Sequence, residues 1–363
     1  MAIQAATEAT ALEPLPFTTI QGWAADNQAD ALAAFRRSCS RILSATEGDP
    51  LVPACRAAAD VGEGADKARS FFEAYFEPHR VMDGGRSNGL FTGYFEPDIR
   101  ASRTREDGYE VPLLAPPANL VALNGVADRG AVPSSFSHAL MRDGRPQIAP
   151  TRSEIEDGAL SGQAEVVAWV ADPVDAFFLH VQGSGRLRYP DGSSDRVSYA
   201  GKNGHPYTSI GRVLVDRGEM TREQVTMQSL RNWMGTDPRR ARDLMRENRS
   251  YIFFRIAGGR SDWGPIGQQQ VPLTPGRSLA IDLAYHRTGL PIWLDTRAPT
   301  GDGAMEPFRR LMIAQDTGSA IRGPVRGDIF FGSGDAAGAR AGAMREQGSM
   351  IVLLPRATPA GDR

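Results

Sequence analysis

The chain has only two cysteines in 363 residues, Cys39 and Cys55. That excludes a disulfide-dense scaffold, and two cysteines without a nearby histidine pair supply too few ligands for zinc. No apolar run approaches the roughly 20 residues that a membrane-crossing helix needs. The opening MAIQAATEATALEPLP lacks the charged-then-apolar order of a secretory signal. No block of five or more basic residues occurs, and 41 Lys and Arg against 43 Asp and Glu leave a formal charge of −2. Nucleic acid is therefore not expected as a partner. There is no H-E-x-x-H, no Cys/His cluster and no Walker A loop, so neither a metal nor a cofactor is expected. The run from Gly332 to Gly338 imitates a dinucleotide loop, but its last glycine falls one position late. No repeat of fixed period is visible.

What is present suits many short strands. Gly (39) and Pro (25) are plentiful and dispersed, with 41% apolar residues to build a core. Residues 20–80 read as helical, because Ala, Leu, Phe and Arg recur at three- and four-residue spacing in DALAAFRRSCSRIL and ADKARSFFEAYF. Strands are expected at GLFTGYFEP, VPLLA, EVVAWV, AFFLHV, RLRYP and RVSYA. Two helical pieces follow, SIGRVLVDRGEM and TREQVTMQSLRNWMG. Strands return at YIFFRI, SLAIDLA, LPIWLD, RRLMIAQD, DIFFG and SMIVLLP, interrupted by a helix near Ala336–Glu346. Length suggests two domains, or one large domain with an insertion, and the absence of long βα alternation argues against a doubly wound sheet. Cys39 and Cys55 flank a short connector between helical stretches. They read either as two buried thiols or as one disulfide tying two helices together in an oxidising compartment.

Four stretches could carry chemistry. In RLMIAQDTGSAIRGPVRGDIFFGSG, Asp316 and Asp328 lie at strand–turn junctions, and Asp295 closes the strand PIWLD upstream. Asp328 precedes Ile329, Phe330 and Phe331, and a carboxyl against an apolar wall resists ionisation, as a general acid must. Arg326 shares its strand face, so this role requires Arg326 to point elsewhere. The bland alternative is that all three aspartates cap turns. In DAFFLHVQGSGRL, an apolar strand ends at Gln182, Gly183, Ser184 and Gly185, where backbone N–H groups are open to a hydroxyl-rich ligand or merely form a hairpin turn. YAGKNGHPYTSIG offers Asn203, His205 and Tyr207 without any nucleophile elbow, so His205 reads as structural or substrate-contacting. LFTGYFEP offers Thr92, aromatic faces at Tyr94 and Phe95, and the carboxylate of Glu96.

Taken together, TGYFEP, DPVDAFFLHVQGSG, YAGKNGHPYTSIG and QDTGSAIRGPVRGDIFFGSG resemble the MltA family of lytic transglycosylases, with similarity from about residue 90 to 355. His180 stands where a glutamine-like residue is usual, and Ser319 where glycine is usual. The resemblance implies a mainly β protein with N-terminal helices. A double-psi β-barrel domain would be assembled from residues 1–104 and 251–363, with a second β domain inserted at 105–250 and a glycan groove between them. It implies Asp328 as the sole catalytic acid and base, with Asp316 and Asp295 shaping the site. Thr92, Tyr94, Gln182, Gly183, Ser184, Gly185, Asn203, His205 and Tyr207 would contact substrate. The implied activity is that of a peptidoglycan lytic exotransglycosylase, although no residue separates exo from endo action. The implied protein is a periplasmic monomer, with outer-membrane association through an N-terminal anchor not visible in this sequence. Two rivals stand beside it: a two-carboxylate glycoside hydrolase using Glu96 or Asp316 as well, and a non-catalytic murein-binding protein.

Overall fold

The computed structural model describes residues 10–45, 48–126, 128–257 and 264–356. The first elements are β1 (Ala11–Pro14), α1 (Gln28–Ala45), α2 (Val52–Asp60), α3 (Ala65–Tyr75), β2 (Phe76–Met82) and β3 (Asn88–Glu96). Next come β4 (Asp98–Ser102), β5 (Val111–Leu114), β6 (Leu120–Ala122), β7 (His138–Arg142), β8 (Arg145–Gln147), α4 (Arg152–Glu156), β9 (Val166–Val170), α5 (Pro173–Gln182), β10 (Ser184–Arg188) and β11 (Ser194–Lys202). Helices α6 (Ile210–Asp216), α7 (Met227–Gly235) and α8 (Pro238–Glu247) lead to β12 (Ile252–Ala257). The chain ends its described course with β13 (Ser278–Ile281), β14 (Pro291–Pro299), β15 (Met305–Thr317), β16 (Arg326–Ser333), α9 (Asp335–Ala343) and β17 (Arg345–Pro355). Two compact units result: Met1–Phe95 with Asp262–Arg363, and Glu96–Ser261.

In the first unit the order β17-β14-β15-β13-β16-β3, with β3 pairing back onto β17, closes a six-stranded barrel. It is mixed, because β13 runs parallel to β15 and antiparallel to β16. Closure removes the exposed strand edges that an open sheet of this length would leave. Helix α1 turns Ala31, Leu32, Phe35, Ser38, Cys39 and Ile42 inward at helical spacing. Phe35 meets Phe71, Phe72 and Phe76 with ring centroids 5.7–6.0 Å apart. Cys39 and Cys55 form a disulfide that joins α1 to α2. Arg277 and Asp26, both buried, pair at 2.7 Å and tie the N-terminal segment to the start of β13.

The second unit holds the sheet β12-β11-β10-β4-β9-β5 and the small sheet β6-β7-β8. Its core gathers Ile99, Leu113, Val170, Leu179, Leu187, Val197 and Phe254. A second cluster is helical, with Phe177, Phe178, Leu214, Leu230, Met234 and Leu244. One expected strand is corrected here. AFFLHV is not a strand: residues 173–182 form α5. Asp172 caps it by accepting from the Val174 N–H at 2.7 Å, and Pro173 occupies the first turn. Gly183, with φ 79°, ends it in the left-handed conformation that glycine adopts without penalty. Helix α8 was also not anticipated; Asp237 and Pro238 open it by the same device.

Candidate active site

Asp316 and Asp328 stand on the two strands that flank β13. Ala280 is in register with Asp316 on one side and with Asp328 on the other. With strands roughly 4.8 Å apart, the two residues lie about two strand spacings from each other. A bulge between Leu279 and Ala280 in the β13–β15 pairing creates this alignment. Gln315 is the extra residue: its buried amide donates to Ala34 O at 2.9 Å and to Ser38 Oγ at 2.8 Å. Asp316 thereby takes the place opposite Ala280 that Gln315 would otherwise hold.

Strand β3 supplies the hydroxyls. Thr92 Oγ1 donates to Asp328 Oδ1 at 2.5 Å, and Tyr94 Oη donates to Asp316 Oδ2 at 2.9 Å. The Gln268 N–H donates to Asp316 Oδ1, also at 2.9 Å. Among the described residues Asp328 Oδ2 accepts no hydrogen bond. Gly93, between Thr92 and Tyr94, has no space for a side chain: a Cβ there would come within 2.4 Å of the Phe331 ring. Phe330 packs on Tyr94 at 5.3 Å and makes the neighbourhood apolar.

Electrostatics follow from this enclosure. Asp328 keeps some contact with solvent, but protein surrounds it on most sides, and burial raises its pKa above the ordinary carboxyl value. The charge of Arg326 and the hydrogen bond from Thr92 pull the other way. Asp316 is pushed up to about 6, chiefly by burial, against the hydrogen bonds from Gln268, Thr317 and Tyr94. Burial and the neighbouring Asp316 raise the Tyr94 phenol well above its usual value, so it remains a donor.

Arg326 meets the condition set by the sequence. No ion pair joins it to Asp328 among the described residues. Its guanidinium instead donates to Thr92 Oγ1 at 2.8 Å, to Leu90 O at 3.3 Å and to Gly327 O.

Asp295 is not brought to this pair. It faces Arg309 in register and accepts from Arg309 Nε at 3.0 Å. Asp316 lies seven residues farther along β15, roughly 20 Å by strand rise. The aspartate that sequence reasoning missed is Asp282, directly after β13. Its buried carboxylate accepts from the Gly323 N–H at 2.8 Å, the Ala284 N–H at 3.1 Å and Arg322 Nη1 at 3.3 Å. Burial opposes its charge, but these donors outweigh burial and hold its pKa below the usual range. It fastens the connection that feeds β16. The signal was available, because Asp282 ends the apolar run SLAI as Asp295 ends PIWL.

In the second unit Glu96 is fully buried against Arg196, with Nη2 to Oε2 at 3.0 Å and a second bond from Nε. Asn203 donates to Pro150 O and Arg249 O and accepts from the Tyr251 N–H. His205 Nε2 lies 2.8 Å from Ala149 O. Both side chains are engaged in holding backbone. Tyr207 is exposed. Gln182 closes α5, Gly183 caps it, and Ser184 and Gly185 begin β10. Gly185 packs so tightly that a Cβ would meet Leu179 Cδ1 at 2.5 Å.

The sequence matches the MltA specific insert domain over residues 90–255 and the 3D domain over residues 277–354. It is 35% identical over 279 residues to membrane-bound lytic murein transglycosylase A of Escherichia coli K12, covering 75% of this chain and 68% of that protein. The chain belongs to the MltA family. Among solved MltA-type structures, the membrane-bound lytic murein transglycosylase from Agrobacterium tumefaciens superposes with a TM-score of 0.85 at 36% identity, covering 95% of this chain and 98% of that one. E. coli MltA with bound chitohexaose gives 0.69 at 27% identity, covering 96% and 92%. The MltA fold and the barrel expected from the sequence are thus both present.

Proposed function

We propose that the protein is a lytic transglycosylase that cleaves the β-1,4 bond between N-acetylmuramic acid and N-acetylglucosamine in peptidoglycan, with Asp328 as its only acid and base. One observation carries this reading: Asp328 is an enclosed carboxyl with raised pKa, fixed through one oxygen by Thr92 and, among the described residues, unengaged at the other. Protonated Asp328 gives its proton to the glycosidic oxygen as the C1–O bond breaks, and the electron pair leaves with the N-acetylglucosamine oxygen. The C6 hydroxyl of the same muramic residue attacks C1 and returns a proton to Asp328. A 1,6-anhydro ring forms and the enzyme is restored. One carboxyl suffices because the nucleophile is tethered to the reacting sugar. A hydrolase needs a second, available carboxylate. Glu96 is locked to Arg196, and both oxygens of Asp316 already accept hydrogen bonds.

Asp316 shapes the site through Tyr94, and Thr92 and Tyr94 border the reacting sugar. The glycan-binding insertion expected at 105–250 corresponds to the second unit, Glu96–Ser261, which lies in sequence between the two barrel segments. There Gln182, Gly183, Ser184, Gly185 and Tyr207 contact the strand, while Asn203 and His205 hold the segment that carries Tyr207. The Cys39–Cys55 disulfide supports a periplasmic location, since such bonds persist where the compartment is oxidising. The protein acts as a monomer, associated with the outer membrane.

The test is mass spectrometry of muropeptides released from purified peptidoglycan. Wild type should release products about 18 Da lighter than hydrolytic ones. Asp328→Asn should lose turnover by about 10³-fold or more. Products at the hydrolytic mass would overturn the mechanism, and binding without turnover by either protein would favour a murein-binding role.

A further inference from the structure

We infer that Arg326 is a positioning residue for the acid: by donating to Thr92 it commits the threonine proton to Asp328 Oδ1, so that the transferable proton resides on Oδ2. The inference rests on the single-carboxyl reading above and deepens it.

A hydroxyl has one proton and two lone pairs, whereas a guanidinium donates and never accepts. Arg326 Nη2 lies 2.8 Å from Thr92 Oγ1, so the threonine oxygen must accept from it. The hydroxyl's own proton is then directed to its other partner, Asp328 Oδ1, at 2.5 Å. A proton on Oδ1 instead would have to point back at Oγ1 and would leave the threonine proton without an acceptor among the described residues. Oδ2 accepts nothing there and is the oxygen at which a proton costs no hydrogen bond. The guanidinium is itself held, because Nη1 donates to Leu90 O at 3.3 Å and to Gly327 O. Thr92 and Leu90 share one face of β3, and Arg326 and Asp328 share one face of β16.

The placement also fits both halves of the reaction. A guanidinium in direct contact would hold Asp328 ionised and unable to donate. One hydroxyl away, its charge is weaker but still favours the carboxylate that remains after donation. The other titratable groups near Asp328 are Tyr94 from β3 and Asp316 from β15, and the charge of Asp328 raises the pKa of each. Neither touches Oδ1.

The experiment follows kcat and KM against pH for wild type, Arg326→Met, Arg326→Lys and Thr92→Val, with Asp328→Asn as control. Arg326→Met should lower kcat about tenfold at unchanged KM and move the basic limb of the profile upward by about one pH unit, because a charge that favours ionisation is gone. Arg326→Lys, which can still only donate, should restore much of both. In the Thr92→Val background, adding Arg326→Met should cost less than twofold in kcat, because the hydroxyl through which it acts is missing. A purely structural arginine would give a lower melting temperature with limbs unmoved in the folded fraction, and that result overturns the inference. So does full additivity of the two changes, which remains readable if Arg326→Met folds poorly, since Arg326→Leu, which also removes the donor, can stand in for it. Turnover surviving in Asp328→Asn would sink the single-carboxyl reading instead, and is seen separately in the control.

Discussion

Both units bury titratable groups, but the second unit and the Asp316–Asp328 region of the first use them in opposite ways. In the second unit Arg152 donates to Asn248 O at 3.1 Å and Ser250 O at 2.8 Å, and approaches Glu156 at 3.5 Å. It lies 3.2 Å from His180 Nδ1, and burial with that cation holds His180 neutral, well below its usual pKa. Asn203 and the Glu96–Arg196 pair are engaged in the same manner. Each of these buried charges meets an opposite charge or backbone acceptors, and so fixes the backbone around it. At the ends of β15 and β16 the first unit sets two carboxyls where burial raises both, and among the described residues it answers one of them with a single hydrogen bond. Saturated polar clusters hold a fold, whereas under-compensated ones store the driving force for a proton to move.

The largest effect that sharpens this contrast is expected at Arg152. Arg152→Ala leaves two buried carbonyls without their donor, takes one of two guanidinium partners from Glu156, which keeps Arg246, and should cost about 3–5 kcal/mol in urea unfolding. The pH limbs of the surviving enzyme should not move. Shifted limbs would break the division between the two regions.

Asp316→Asn should do the reverse, lowering activity while raising stability. Asp316 titrates near 6 in the fold against an unfolded value near 3.9. The fold therefore favours the proton. Below about pH 4 both states are protonated and Asp316 costs nothing; as pH rises through about 6 the folded protein must carry the charge, and stability is lost. The variant should be more stable than wild type by about 1–2 kcal/mol at pH 7.5, with the gain vanishing by pH 4. A gain independent of pH would contradict it.

The smallest expected effect is at Tyr94. Tyr94→Phe removes the phenol hydrogen bond to Asp316 and should cost about 1 kcal/mol. Without that donor Asp316 should titrate higher still, which carboxyl NMR would show.

How much was legible depended on how local the cause was. The strand ends bearing Asp316 and Asp328 could be read, because apolar runs broken by Gly and Pro mark strand and turn within a few residues. Helix α5 could not be told from a strand by its apolar residues, since AFFL is apolar on every side and carries no period. Its real markers were Asp172–Pro173 before it and Gly183 after it. Asp295 looked equivalent to Asp316 because both end apolar runs, but β14 continues past Asp295 to Pro299, which leaves Asp295 in the middle of the β14–β15 pair while Asp316 lies at the end of β15. The detour of Arg326 through Thr92 spans 234 residues of sequence, and no spacing rule reaches that far.

Barrel closure has a last consequence, for the timing of synthesis. Thr92 and Tyr94 emerge from the ribosome more than 220 residues before Asp316 and Asp328. Their strand remains a loose edge until β17 is made and pairs Arg345 with Thr92. Such long-range pairing forms late and slowly. The geometry that sets Thr92 and Tyr94 against Asp328 and Asp316 is therefore complete only once β17 has been made.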